Sequence, residues 1–355
     1  METARFDISP NALSLSTSRN LLLSFAPELL ALIFSHCNSN TITSSFTFTQ
    51  VCSRWRSIAH SSPVLWTNLL IELSPTLQTE ADASKYEEAI TEWIMRSSTL
   101  GITLEVAEPS SSCKYYPPTT TQLDLYTNLY QNIITDFSNK WRALLLPYTQ
   151  YPKDHDFVAG IAGLLEGLSL PALEELRLCV GANSSSQISL HCNAPRLYKL
   201  ALNLPKILPL LACIGSYPGT ISDLVLSSSP QTGLSRDFIG ELLELGQLQH
   251  LTHLEIDRLT WYGPVAALPP ASLPNLLKFS LCGSISGMER LLDALTLPSL
   301  RSLSLSLELF RLIGPGSERG SCVTSAPGKI TFSTFEAQPD ESVGRKIHGA
   351  GDYFG

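Results

Sequence analysis

Hydrophobic positions recur at two periods, and the change from one to the other divides the chain. From Pro27 to His36, Leu29, Leu30, Ile33 and Phe34 recur at helical spacing, with Pro27 and Glu28 suited to a first helical turn. After a polar, β-branched break at Ser39–Ser45, a second helix is predicted over Ser45–His60, with Val51, Cys52, Trp55, Ile58 and Ala59 on one face. Ser61-Ser62-Pro63 closes it, and Val64-Leu65-Trp66 opens a short third helix. Two further amphipathic helices are predicted over 83–97 and 121–138, separated by a Pro-, Ser- and Thr-rich loop at 107–120.

Beyond residue 140 the period changes. The template L-x-x-L-x-L fits Leu173-Leu176-Leu178, Leu197-Leu200-Leu202, Leu251-Leu254-Ile256, Leu276-Phe279-Leu281 and Leu300-Leu303-Leu305. Ile221-Leu224-Leu226 and Trp141-Leu144-Leu146 fit with isoleucine or tryptophan at the first site. From Leu176 onward the central positions (200, 224, 254, 279, 303) follow one another at 24 to 30 residues, in or next to the leucine-rich-repeat range. Each unit supplies a short strand whose alternate leucines need a stacked neighbour for burial. The asparagine usual three residues after the last template leucine is replaced by Gly181, Pro205, Ser229, Leu259, Ser284 and Glu308, so an irregular solenoid is expected.

The expected organisation is mixed α/β: a loose tail over 1–20, a three-helix module over 21–72, a helical linker with the first solenoid turns over 73–139, and the solenoid over 140–309. The template stops after Leu309, and the Gly-rich 310–355 is expected to be disordered. The abrupt change of composition also suggests that 314–355 is not the native end of the gene product.

Composition narrows the function. Hydrophobic residues make up 44% and charged residues only 16%, against roughly 25% charged in ordinary soluble chains. Such a chain must bury its leucines. A net charge of -8 argues against nucleic acid, whose phosphates demand clustered Lys and Arg. The apolar run Leu21–Phe25 is far short of the ~20 residues of a membrane span, and the N-terminus lacks a secretory pattern. The eight cysteines form no C-x-x-C pair and read as reduced thiols, which places the chain inside the cell, in cytoplasm or nucleus. The triplet Asn183-Ser184-Ser185 then carries no glycosylation meaning.

No catalytic set emerges. His250 and His253 are three apart, but His253 falls inside a strand template and nothing completes a zinc site. Gly314–Gly320 lacks the Gly-Lys-Ser/Thr end of a phosphate loop. There is no G-x-S-x-G turn, and Cys113 and Cys322 have no neighbouring histidine. The acid pairs Glu87-Glu88 and Glu174-Glu175 read as solvated faces. No cofactor, metal or enzymatic activity is expected. Alternation instead defines two outward rows on the strands: Glu175, Lys199, Asp223, His253, Lys278 and Ser302, then Arg177, Ala201, Val225, Glu255, Ser280 and Ser304. From these, Glu175, Arg177, Lys199, Asp223, His253, Glu255 and Lys278 are the candidate concave target-binding face. Their mixed signs suit a protein partner, with plain solvent exposure and binding on the loops as the alternative.

The segments FAPELLALIFSHC (25–37) and TQVCSRWRSIAHSSPVLWTNL (49–69) resemble the F-box, through Pro27, Glu28, Leu29, Leu30, Ile33, Phe34, Val51, Cys52, Arg54, Trp55, Pro63, Leu65 and Trp66. The family's leading Leu-Pro is Phe25-Ala26 here. The later segments KWRALLL (140–146), LPALEELRL (170–178) and LTLPSLRSLSLSL (295–307) are similar to those of F-box proteins with leucine-rich-repeat-like solenoids in mushroom-forming fungi. The resemblance implies a non-catalytic substrate receptor of a Skp–cullin–F-box ubiquitin ligase, acting in ubiquitin-dependent protein degradation. It implies a Skp-family adaptor gripping Phe25, Pro27, Leu29, Leu30, Ile33, Val51, Cys52, Trp55, Leu65 and Trp66, some of which must instead hold the helices together. An inert end cap on the first repeat, or a leucine-rich scaffold outside any ligase, are the competing readings.

Overall fold

Pro27 opens the first helix of the computed structural model, which describes residues 25–37, 42–72, 77–107, 119–146, 163, 165–179, 192–204, 220–228, 248, 250–259, 270–308 and 329–332. The expected tail at 1–20 and most of 310–355 lie outside these residues. Helix α1 (Pro27–Cys37) buries Leu30 and Phe34, one turn apart. The single helix predicted over Ser45–His60 is instead two, α2 (Ile42–Val51) and α3 (Ser53–His60). They part at Cys52, whose extended backbone (φ -159°, ψ 168°) breaks the helix while its Sγ accepts the Trp55 N–H at 3.5 Å. Val51 therefore ends one helix and Trp55 belongs to the next. The third helix is a single 3-10 turn, Pro63–Trp66.

The chain then enters a sheet that begins earlier than expected. Strand β1 (Asn68–Glu72) follows the 3-10 turn, and β2 (Ile102–Ala107) pairs beside it in parallel. The segment 73–139, expected to hold a helical linker and the first solenoid turns, carries α4 (Glu80–Arg96), β2 and α5 (Thr120–Asp136), the two helices connecting β1 to β2 and β2 to the next strand. Both helices start with capping boxes. At α5 the Thr119 hydroxyl accepts the Gln122 N–H at 3.3 Å, and Gln122 Oε1 accepts the Thr119 N–H at 2.8 Å. Thr119→Ala is expected to lower stability by roughly 1 kcal/mol in thermal melts, with Thr119→Asn close to wild type.

The strands β3 (Trp141–Leu146), β4 (Glu175–Cys179), β5 (Lys199–Leu204), β6 (Asp223–Ser228), β7 (His253–Leu259), β9 (Lys278–Gly283) and β11 (Ser302–Glu308) continue the sheet in chain order, all in parallel and without closure. Short β8 (Ala271–Ser272) and β10 (Leu295–Thr296) form a separate parallel ladder, and α6 (Ile285–Ala294) follows β9. Within the segment expected to be disordered, β12 (Lys329–Phe332) pairs antiparallel with β11.

Register turns the sequence template into stacked rows. Leu144, Leu176, Leu200, Leu224, Leu254, Phe279 and Leu303 are aligned, as are Leu146, Leu178, Leu202, Leu226, Ile256, Leu281 and Leu305. From β3 to β9 these side chains are buried. The carbonyl just before each strand fixes the phase. Glu174 O accepts from Tyr198 N and Lys199 N, Ser222 O from Thr252 N and His253 N, and Leu277 O from Arg301 N and Ser302 N, at 2.9–3.1 Å. Parallel sheets usually bury both faces and read as continuous apolar runs. Here alternation leaves one face largely polar, with small buried residues such as Ala143 and Ala201 among its positions.

Candidate functional site

The helical module divides the predicted adaptor-facing residues in two. Leu30, Leu65 and Trp66 are buried, at 0–2% exposure. These three hold the module together and have no surface to offer a partner, which corrects their place in the expected set. Trp66 sits at the centre. Its Nε1 donates to Ala59 O at 2.9 Å, and its own carbonyl accepts Nε1 of Trp93 at 2.8 Å. The two indoles meet edge to face at 4.9 Å, with Phe46 at 5.7 Å from Trp66 and 6.0 Å from Trp93. The Arg96 guanidinium lies 4.6 Å from the Trp66 ring and 5.3 Å from Phe46, a cation–π arrangement. Trp55 and Cys52 are half-buried, Trp55 tilted against Phe34 at 4.8 Å. Phe34 also stacks on Phe48 at 4.6 Å.

The rest of the set is on the surface. Phe25 and Pro27 are exposed, as are Leu29 (51%), Ile33 (40%) and Val51 (56%). The structure adds Leu32 (54%) and Val64 (63%). Leu29, Leu32 and Ile33 stand at i, i+3, i+4 and form one stripe of α1, beside the buried Leu30/Phe34 stripe. That split is present in the sequence as two helical stripes, but α1 is so apolar that periodicity alone merges them. Arg54 anchors the start of α1 by donating from Nη2 to Phe25 O at 2.6 Å, and Arg56 Nε donates to Thr49 O at 2.8 Å. His60 packs near Trp66, and burial, followed by the charge of Arg96, holds its imidazole below the usual range.

On the sheet, register brings together both outward rows predicted from alternation. Glu175, Lys199, Asp223, His253, Lys278 and Ser302 are aligned on neighbouring strands, as are Arg177, Ala201, Val225, Glu255, Ser280 and Ser304. Lys199 Nζ lies 2.9 Å from Glu175 Oε1, and Arg177 Nη2 lies 3.7 Å from the same oxygen. His253 Nδ1 is 3.3 Å from Asp223 Oδ1 and 2.8 Å from Thr252 Oγ1. That contact ties the predicted histidine to a strand neighbour. Among the described residues no group of three His, Cys, Asp or Glu is placed to hold a metal ion, and no helix is long and apolar enough to cross a membrane. Cys37 and Cys52 are free thiols. The Gly314–Gly320 loop, Cys113 and Cys322 lie outside the described residues.

The module is a bundle of short helices with an exposed apolar stripe, from which the chain runs directly into the sheet. Compared with known families, residues 27–72 match the family model described as F-box-like. No curated protein matches the chain. The chain thus carries an F-box-like domain over α1 to β1. F-box proteins are in general non-catalytic adaptors of ubiquitin ligases, and their F-box domains bind a Skp-family partner.

Proposed function

We propose that this protein is a substrate receptor of a Skp–cullin–F-box ubiquitin ligase, in which the F-box-like domain docks a Skp-family adaptor and the strand ladder is a leucine-rich-repeat-like solenoid holding the target. The observation that carries this is the F-box-like match at 27–72, on a module that exposes Leu29, Leu32, Ile33 and Val51. Large apolar side chains left in water on a short helix mark a protein contact. The adaptor-facing set is then Phe25, Pro27, Leu29, Ile33 and Val51, with Cys52 and Trp55 at its margin. Ubiquitin transfer would be done by other subunits, with this chain acting by proximity. The domain limits follow: a docking module ending at β1, then a target-binding ladder from β2 to β11.

A second reading has one feature in its favour. Phe25-Ala26 stands where the F-box pattern has Leu-Pro, so the ladder could serve as a protein-binding scaffold outside any ligase. Pull-down of the full chain with the cognate Skp-family adaptor separates the two. Binding at micromolar concentration is expected, and a Leu29→Asp, Ile33→Asp double variant should weaken it by more than tenfold, since each lost anchor costs about 2 kcal/mol. Both side chains point to solvent, so the melting temperature should hardly change. Absence of binding by the wild type would favour the scaffold.

A further inference from the structure

Across β4 to β7 the outer face of the sheet carries charge in two lobes, with Lys278 beyond them on β9. On β4 and β5, Arg177 and Lys199 place two cations around the single carboxylate of Glu175. On β6 and β7, Asp223 and Glu255 place two carboxylates. Asp223 accepts the Ser222 hydroxyl at 2.6 Å and faces His253, while exposed Glu255 has no ion pair among the described residues. Between the lobes the second row holds Ala201 and Val225, aligned on adjacent strands and without a polar side-chain atom. Ala201 is 6% exposed while Arg177 beside it is exposed, so a short apolar saddle lies between longer charged side chains. Tyr198, 45% exposed, stands just ahead of Lys199.

We propose that this face takes an extended peptide segment running across the strands, with an acidic side chain toward Arg177 and Lys199, a compact apolar side chain over Ala201 and Val225, and a basic side chain toward Asp223 and Glu255. The inference rests on the reading of the sheet as the target-binding surface. A segment lying along one strand would meet a single lobe; only one that crosses them meets both. Arg177 and Glu255 are three strands apart, about 14 Å at ~4.8 Å per strand. An extended chain advances ~3.3 Å per residue, so acid and base should stand about four residues apart, with the apolar residue midway. Opposite charges in register set direction and discriminate between partners more than they add affinity.

Random twelve-residue peptides displayed on phage and selected against the full chain test this. The expected pool carries acid and base four residues apart with an apolar residue between. A synthetic peptide from that pool should bind Arg177→Ala and Glu255→Ala each up to about fivefold more weakly, as for exposed ion pairs. The same peptide with its two charges exchanged should prefer the Arg177→Glu, Glu255→Arg double variant over wild type. Peptides that lose binding to a Val225→Arg variant, yet show no such order and no preference for the charge-exchanged double variant, would overturn the inference while leaving the sheet as a binding surface. A selection that yields no peptide sensitive to Val225→Arg would overturn both. Thermal melts of each variant separate lost contact from lost fold, and a destabilised Val225→Arg would be replaced by Val225→Ser.

Discussion

Trp66→Ala is expected to cost about 3–5 kcal/mol of stability and to unfold the helical module under conditions where the wild type stays folded. Trp66 is fully buried, bonds to Ala59, and supplies the ring against which Trp93 and Arg96 pack. Its removal leaves a cavity and takes away the nearer of the two rings on the Arg96 guanidinium, which keeps Phe46 and its ion pair with Glu92. Nη1 of Arg96 is already buried without a hydrogen-bond partner among the described residues, so the lost ring contact adds to a desolvation cost already present at that nitrogen. Trp66→Phe keeps an aromatic ring but loses the bond to Ala59 and part of the buried volume, so a cost above the ~1 kcal/mol of that bond and below that of alanine is expected. Chemical denaturation followed by tryptophan fluorescence and circular dichroism measures both. An alanine variant within 1 kcal/mol of wild type would contradict the packing described here.

Leu224→Ala should cost about 2–5 kcal/mol, because Leu224 is buried on β6 between Leu200 and Leu254 and the site cannot collapse without shifting two ladders. Leu305→Ala, on the penultimate strand and only partly buried, should cost distinctly less. Denaturant titrations of the two variants side by side give the difference. Equal costs would mean that the rows are not stacked as the register indicates.

The interior and outward rows of the sheet were legible in the sequence because alternation and repeat phase state them twice. Leu176, Leu200 and Leu224 share both a two-residue period with their own strand and a template position with each other. Strand β1 lacked the second signal. Asn68-Leu69-Leu70-Ile71-Glu72 is apolar at three consecutive positions and directly follows a helical turn, so neither period stands out. Strand β2 alternates at Ile102, Leu104 and Val106 but sits between two amphipathic helices that dominate the local pattern. The break at Cys52 was hidden for another reason: its cap is a thiol, not one of the hydroxyl or carboxamide side chains that usually announce a helix start. For Trp66 the division of the F-box-like residues was beyond local reading, since it is buried by Trp93 and Arg96, which arrive 27 and 30 residues later.

One strand belongs to both halves of the molecule. Asn68–Glu72 lies within the F-box-like match and is also the first rung of the parallel sheet, bonded along its length to β2. A hinge there would have to tear a ladder and pull Trp66 away from Trp93. If, as proposed, the helices grip one protein and the strands another, the offset between the two is set by architecture and not by a tether. Which surface lysines of a captured protein come within range of a transfer enzyme would then depend on how that protein sits on the strands.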